Sequence, residues 1–206
     1  MLKKKTIHFS EETHKYLDES GNAIPSVSII IGTGKHFSHI PPDRQADIMA
    51  RGSKLHQDVD YFISTGDTLG LPLLEKFAKK FTELTNDFGK VVANEKPMAA
   101  EYMGYAFAGK PDIVCEGGVI EVKSSLGSSE RIYGIQLGGY GMLCEANEVI
   151  DAKATQNYAI IYKHNDDWEY RILSKEYGGV TQREAFIASL LKHYADKVLN
   201  LYNNYF

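Results

Sequence analysis

The sequence predicts an α/β fold in which helices pack on a central mixed β-sheet, and three features of its pattern carry that expectation. Apolar residues recur at helical spacing along 42–63 and again along 73–88. Strand-like segments dominate from Val91 to Lys123, and helical spacing returns along 129–145 and 181–201. A chain of 206 residues suits one domain with a real core and would be cramped as two.

The elements follow in order. Residues 7–31 read as an N-terminal hairpin, two short strands around a turn at Asp18 to Asn22, with Pro25 ahead of a β-branched run. Helices are expected across 42–90: Ile48, Met49, Gly52, Leu55, Val59 and Phe62 form one stripe, and Leu74, Phe77, Phe81 and Leu84 form the inner face of the next. The centre, 91–145, holds the run of strands and a helix from Ser129 to Glu145. A C-terminal hairpin and helix, 155–206, close the chain; the hairpin runs from Tyr158 to Leu173 and turns at HNDD, where Asn-Asp is first a turn signal. In the last helix Phe186, Leu190, Tyr194, Val198 and Leu201 read as a core face.

Composition excludes several classes. Apolar residues at 43% and charged residues at 24% are those of an ordinary globular chain. A net charge of −4 argues against coating nucleic acid by bulk electrostatics, but a local site stays open because a bound divalent metal brings its own charge. No apolar run approaches the roughly 18 residues that span a bilayer, and the lysines of MLKKKTIHFS precede no apolar stretch, so no membrane partner and a cytoplasmic location are expected. Cys115 and Cys144 can form at most one disulfide and cannot supply a four-thiolate metal site; buried free thiols are expected. The chain has no Gly-rich phosphate loop of the ATPase type.

The segment GKPDIVCEGGVIEVKSS, 109–125, reads as a hairpin with Gly117-Gly118 as its loop. That loop would set Glu116 opposite Val119, Val114 opposite Glu121 and Asp112 opposite Lys123. Opposed residues share a face, as do i and i+2, so Asp112, Glu121 and Lys123 fall on one side and Ile113, Ile120 and Val122 on the other. One more loop residue would flip that parity. Two readings are open here. In one, the charges lie in water, Asp112 paired with Lys123. In the other, Asp112 and Glu121 converge on one hard cation such as Mg²⁺ or Mn²⁺, which is typically held by one or two carboxylates, water and phosphate oxygens. Lys123 would then sit beside the metal, placed to hold an attacking water or to stabilise charge on a phosphate.

Other residues carry similar pairs of readings. His56 follows Gly52 by one helical turn, so the imidazole and the backbone that glycine exposes share a face; it either flanks the Leu55 and Val59 stripe or acts as a third metal ligand. Gln136 and Tyr140 are also four apart and can both point at a nucleic-acid strand, or Tyr140 can pack in the core. Gly138, Gly139 and Gly141 cost a helix roughly 1 kcal/mol each against alanine, which calls for either a close approach of neighbouring structure or a broken helix. Glu95 is either an accessory contact for metal or water or a plain strand carboxylate, and Glu101 is expected in a turn. Lys3, Lys4 and Lys5 read as a solvated terminus.

Taken together, KPD at 110–112 followed by Glu121-Val122-Lys123 resembles the PD-(D/E)XK nuclease superfamily. Gly52 and His56 of RGSKLH are similar to the Gly-x-x-x-His element of its RecB-like branch, and Gln136 and Tyr140 of IQLGGY to the Gln-x-x-x-Tyr element of the same branch. NEKPMAAEYMGYAFAGKPD resembles the strand and hairpin that lead to the metal aspartate, with Glu95 at the position usually acidic, and IPSVS resembles the N-termini of phage-type and mitochondrial maintenance exonucleases. The resemblance spans most of 7–140 and implies a restriction-endonuclease-like core. It also implies a Mg²⁺- or Mn²⁺-dependent exonuclease acting on single- or double-stranded DNA in recombination, repair or phage DNA processing. His56, Asp112, Glu121 and the main-chain oxygen of Val122 would hold the metal, Lys123 would complete the catalytic set, and Gln136 and Tyr140 would meet the substrate. A catalytically silent binding domain and a site-specific endonuclease are the alternatives, and a homo-oligomer stays open.

Overall fold

The computed structural model describes residues 1–32, 41–126, 130–174 and 176–205. The architecture is mixed α/β, with five helices and several small sheets around one five-stranded sheet. That sheet comprises β5 (Val91–Asn94), β8 (Ile113–Cys115), β9 (Gly118–Lys123), β10 (Tyr158–His164) and β11 (Asp167–Ile172) in the order β11-β10-β9-β8-β5. It is mixed because β9 and β10 run parallel, joined through helix α4 (Glu130–Ala146), while every other pair is antiparallel. Two three-stranded sheets accompany it: β1 (Leu2–Lys4) with β6 (Met98–Tyr102) and β7 (Tyr105–Gly109), and β2 (His8–Ser10) with β3 (Lys15–Leu17) and β4 (Ala23–Ile24). A short ribbon, β12 (Glu176–Tyr177) and β13 (Val180–Thr181), precedes helix α5 (Gln182–Tyr205).

Strand alternation divides the core into two clusters. Ile113, Cys115, Ile120 and Val122 point to one side, where α3 (Pro72–Phe88) covers them with Leu74, Phe77, Phe81, Leu84 and Phe88 and α2 (Pro42–Thr65) adds Val59. Those α3 positions recur at helical spacing, Pro72 opens the helix where its missing N–H costs nothing, and the Gly89 N–H closes it on the Thr85 carbonyl. Trp168 of β11 packs edge-on against Phe77 with centroids 5.0 Å apart and donates its indole N–H to the Leu73 carbonyl at 3.0 Å, which ties sheet to helix. Truncating Phe77, which is fully buried, would cost about 3–5 kcal/mol. On the other side Val114, Val119, Tyr158 and Ile160 meet α4, α5 and the short helix α1 (Val27–Ile31).

Helix α4 is continuous through its glycines, and close approach is the reason. A Cβ on Gly138 would lie 2.4 Å from the Gln182 carbonyl oxygen, and one on Gly141 would lie 2.2 Å from that of Thr155. The glycines let α5 and the 3₁₀ turn Ala154–Gln156 press directly on the helix backbone.

Several expectations are corrected. The β-branched run after Pro25 is helical: the Ser26 hydroxyl accepts the Ile29 N–H, and Val27 and Ile30 bury on one side. Glu101 lies inside β6 opposite Lys3, not in a turn; the turn follows at Met103 and Gly104, both with positive φ. The central hairpin turns at Glu116-Gly117, one residue earlier than expected, because Gly118 already pairs with Cys115. Val114 therefore faces Val119, not Glu121, and the register runs on to set Asp112 beside Glu121, not Lys123. The parity that places Asp112 and Glu121 on one face survives, since the loop keeps two residues. Both cysteines are buried free thiols. Among the described residues no helix is long and apolar enough to cross a membrane.

Candidate active site

Four elements bring the charged residues together. Asp112 sits where the chain enters β8, and its Oδ2 accepts the Val122 N–H at 2.7 Å, so the carboxylate is held by the neighbouring strand. Its own carbonyl accepts the Glu95 N–H at 3.1 Å, which brings the residue after β5 alongside. His56, on α2, aims Nδ1 at Asp112 Oδ1 (3.3 Å) and at Glu95 Oε1 (3.5 Å). Lys110 Nζ approaches the other Glu95 oxygen at 2.7 Å and lies 5.5 Å from the centroid of the Phe9 ring. Glu95 itself takes a left-handed φ of 44°, a conformation that a non-glycine residue adopts at some cost.

Glu121, on β9, is the deepest charge, with 2% of its surface exposed. One oxygen, Oε1, accepts from Lys123 Nζ and from Gln136 Nε2, the latter at 3.0 Å. The other, Oε2, has no hydrogen-bond partner among the described residues. Lys123 Nζ also lies 5.4 Å from the centroid of the Tyr133 ring. Gln136 and Tyr140, expected to meet a bound strand, are both buried; the Gln136 amide reaches Glu121 and also donates to the Tyr140 hydroxyl at 3.0 Å. In this structure Gln136 holds the Glu121 carboxylate, and the Tyr140 hydroxyl accepts from the same Gln136 amide.

The electrostatics follow from burial and crowding. Burial alone would raise Asp112, but His56 and Lys123 beside it hold it below the usual carboxylate range. Burial, reinforced by the Asp112 charge, pushes Glu121 up to about 7 against the pull of Lys123. Burial opposes the charge on His56, yet Asp112 and Glu95 outweigh it and raise the imidazole to about 10. Lys123 likewise loses solvent but is raised by Glu121 and Asp112, so it stays an ammonium at neutral pH.

The ligand-type atoms that gather within 4.8 Å of one another belong to His56, Glu95 and Asp112. Glu95 thus takes the place in that trio expected of Glu121. The carboxylate oxygens of this set suit Mg²⁺ or Mn²⁺, His56 would add its nitrogen once a bound cation displaces its proton, and the orphaned Glu121 oxygen is an acceptor that a cation would satisfy. Lys110, Phe9 and Tyr133 escaped the sequence reading. Only Lys110 left a signal, two residues before Asp112 and so on the same side of an extended chain.

A scan against protein-family models gives no match, and a comparison with curated proteins gives none either. Among solved structures, the crystal structure of SSO0001 is similar to this chain at 15% identity, covering 80% of this chain and 82% of that one, with a TM-score of 0.34. A likeness that loose carries no functional weight.

Proposed function

We propose that the chain is a Mg²⁺- or Mn²⁺-dependent deoxyribonuclease with a restriction-endonuclease-like core of the PD-(D/E)XK kind. It acts as an exonuclease on single- or double-stranded DNA in recombination, repair or phage DNA processing in the cytoplasm. The observation that carries the reading is Glu121, a carboxylate buried beside a lysine with one oxygen left unsatisfied, next to the His56, Glu95 and Asp112 trio. An unsatisfied buried acceptor costs about 1–3 kcal/mol, and more when it is charged. Most buried side-chain oxygens have a hydrogen-bond partner, so the open Glu121 oxygen calls for an explanation that a bound cation would supply.

His56, Asp112 and Glu95, with Glu121 and the main-chain oxygen of Val122, would hold the cation. The chemistry that a divalent ion supplies when bound is neutralisation of phosphate charge and acidification of water. The protein's own groups do the rest. The Val122 N–H keeps Asp112 oriented, and Gln136 keeps Glu121 oriented. Lys123, held between Glu121 and the Tyr133 ring, offers N–H donors to an attacking water or to charge developing on the phosphate.

Titration with Mn²⁺, followed by electron paramagnetic resonance, tests the reading. The wild type is expected to bind the ion, and Asp112→Asn to bind it at least about tenfold more weakly. A chain that binds no Mn²⁺ here would be the catalytically silent domain instead.

A further inference from the structure

Among the described residues, neither packing nor a positive φ explains the glycine at position 52. Of the other described glycines, Gly21, Gly32, Gly66, Gly70, Gly89, Gly104, Gly178 and Gly179 have positive φ, and the rest have a neighbour that a Cβ would strike or crowd, as on α4. Gly52 alone among them has neither: φ is not positive, and among the described residues nothing lies within 4 Å of where its Cβ would stand. It occupies the middle of the 24-residue helix α2, where glycine is less favourable than alanine.

Its location supplies a reason. Gly52 precedes His56 by one turn on the same face, roughly 6 Å nearer the helix N-terminus. Helix α2 packs on the core from Leu55 onward; between Arg44 and Lys54 no residue is buried, and Ile48 and Gly52, on the stripe shared with His56, are half-buried. The turns of α2 ahead of His56 carry exposed Arg44 and Arg51 together with exposed Asp47, while Lys54 is paired with Asp58.

We infer that Gly52 is a clearance point, where the sugar-phosphate backbone of the substrate strand crosses α2 to place a phosphate at His56 and Asp112. The inference rests on the nuclease reading and adds the strand's path to it. Contact with backbone rather than bases makes this crossing indifferent to sequence.

Steady-state cleavage of end-labelled single- and double-stranded DNA in Mn²⁺ tests it, with Gly52→Ala, Gly52→Leu and, as a control on the next residue, exposed Ser53→Ala. Gly52→Ala should raise Tm by about 2–4 °C through helix propensity. It should raise KM for DNA about tenfold with little change in kcat, and Gly52→Leu should raise KM further. Mn²⁺ affinity in all three, and KM in Ser53→Ala, should match wild type. An active wild type whose KM is unchanged by both Gly52 variants overturns the clearance role alone, as does a Ser53→Ala variant that raises KM equally. A wild type that cleaves nothing overturns the nuclease reading and this inference with it.

Discussion

Glu121 fixes the sign of the pH dependence of the metal-free fold. Its carboxyl is pushed from an ordinary 4.5 to about 7, so between those values the folded chain holds a proton that the unfolded chain has released. Stability therefore falls as pH rises through that window. Over roughly 2.5 pH units, at about 1.4 kcal/mol per unit, the loss approaches ~3 kcal/mol by pH 8. His56 acts in the same direction at higher pH: its contribution is complete below 6.5 and is lost as pH climbs toward 10. Asp112 acts at the acid end, its contribution present above 3.8 and lost as pH falls below it. Glu121→Gln keeps the side-chain shape but cannot ionise. Urea unfolding in EDTA at pH 5 and pH 8 should show the wild type losing about 3 kcal/mol more than the variant, a Tm difference of roughly 6–12 °C. Parallel curves for the two chains would refute the reasoning about the buried charge. Saturating Mn²⁺ should flatten the wild-type fall, since the ligands bind metal deprotonated and metal affinity rises with pH over the same range.

Three further outcomes are expected. Lys123→Ala should fold, by circular dichroism and thermal melting, yet lose about 10²–10³ in cleavage rate, the usual cost of one preorganised donor. His56→Ala should weaken Mn²⁺ by about 10- to 100-fold in a calorimetric titration and, once Glu121 has ionised, flatten the remaining fall in stability between about pH 8 and 10. Gly141→Ala should lower stability by about 1–3 kcal/mol in urea, because a Cβ 2.2 Å from the Thr155 carbonyl oxygen forces α4 off its neighbour and outweighs the gain in helix propensity.

Much of this fold was legible because local pattern and tertiary packing agree. Leu74, Phe77, Phe81 and Leu84 announce α3 by spacing alone, and all four are buried as expected. The hairpin around HNDD turns at Asn165 and Asp166, with Asn165 in the left-handed region that asparagine tolerates. The errors arise where distant residues decide. Gly117-Gly118 looked like one turn, but the second glycine belongs to β9, where a Cβ would meet the Asn157 carbonyl oxygen at 2.4 Å. The Ile29 to Ile31 run has strand propensity, yet the Ser26 cap and the burial of Val27 and Ile30 against α4 and α5 make it helical. In the site, the shared face of Asp112 and Glu121 followed from strand parity. Glu95 was open in the sequence as an accessory contact for metal or water, but its pairing with Lys110 did not follow from parity, because it depends on how β5 and the N-terminal hairpin dock.

The most direct test of the central claim is cleavage of DNA labelled at either end, linear and circular, by wild type and Lys123→Ala in Mg²⁺, Mn²⁺ or EDTA. Metal-dependent loss of linear DNA that stops in EDTA and in the variant is the predicted result. A folded wild type that leaves every substrate intact with either metal would contradict the account, and Glu121 would then be a buried charge without a chemical task.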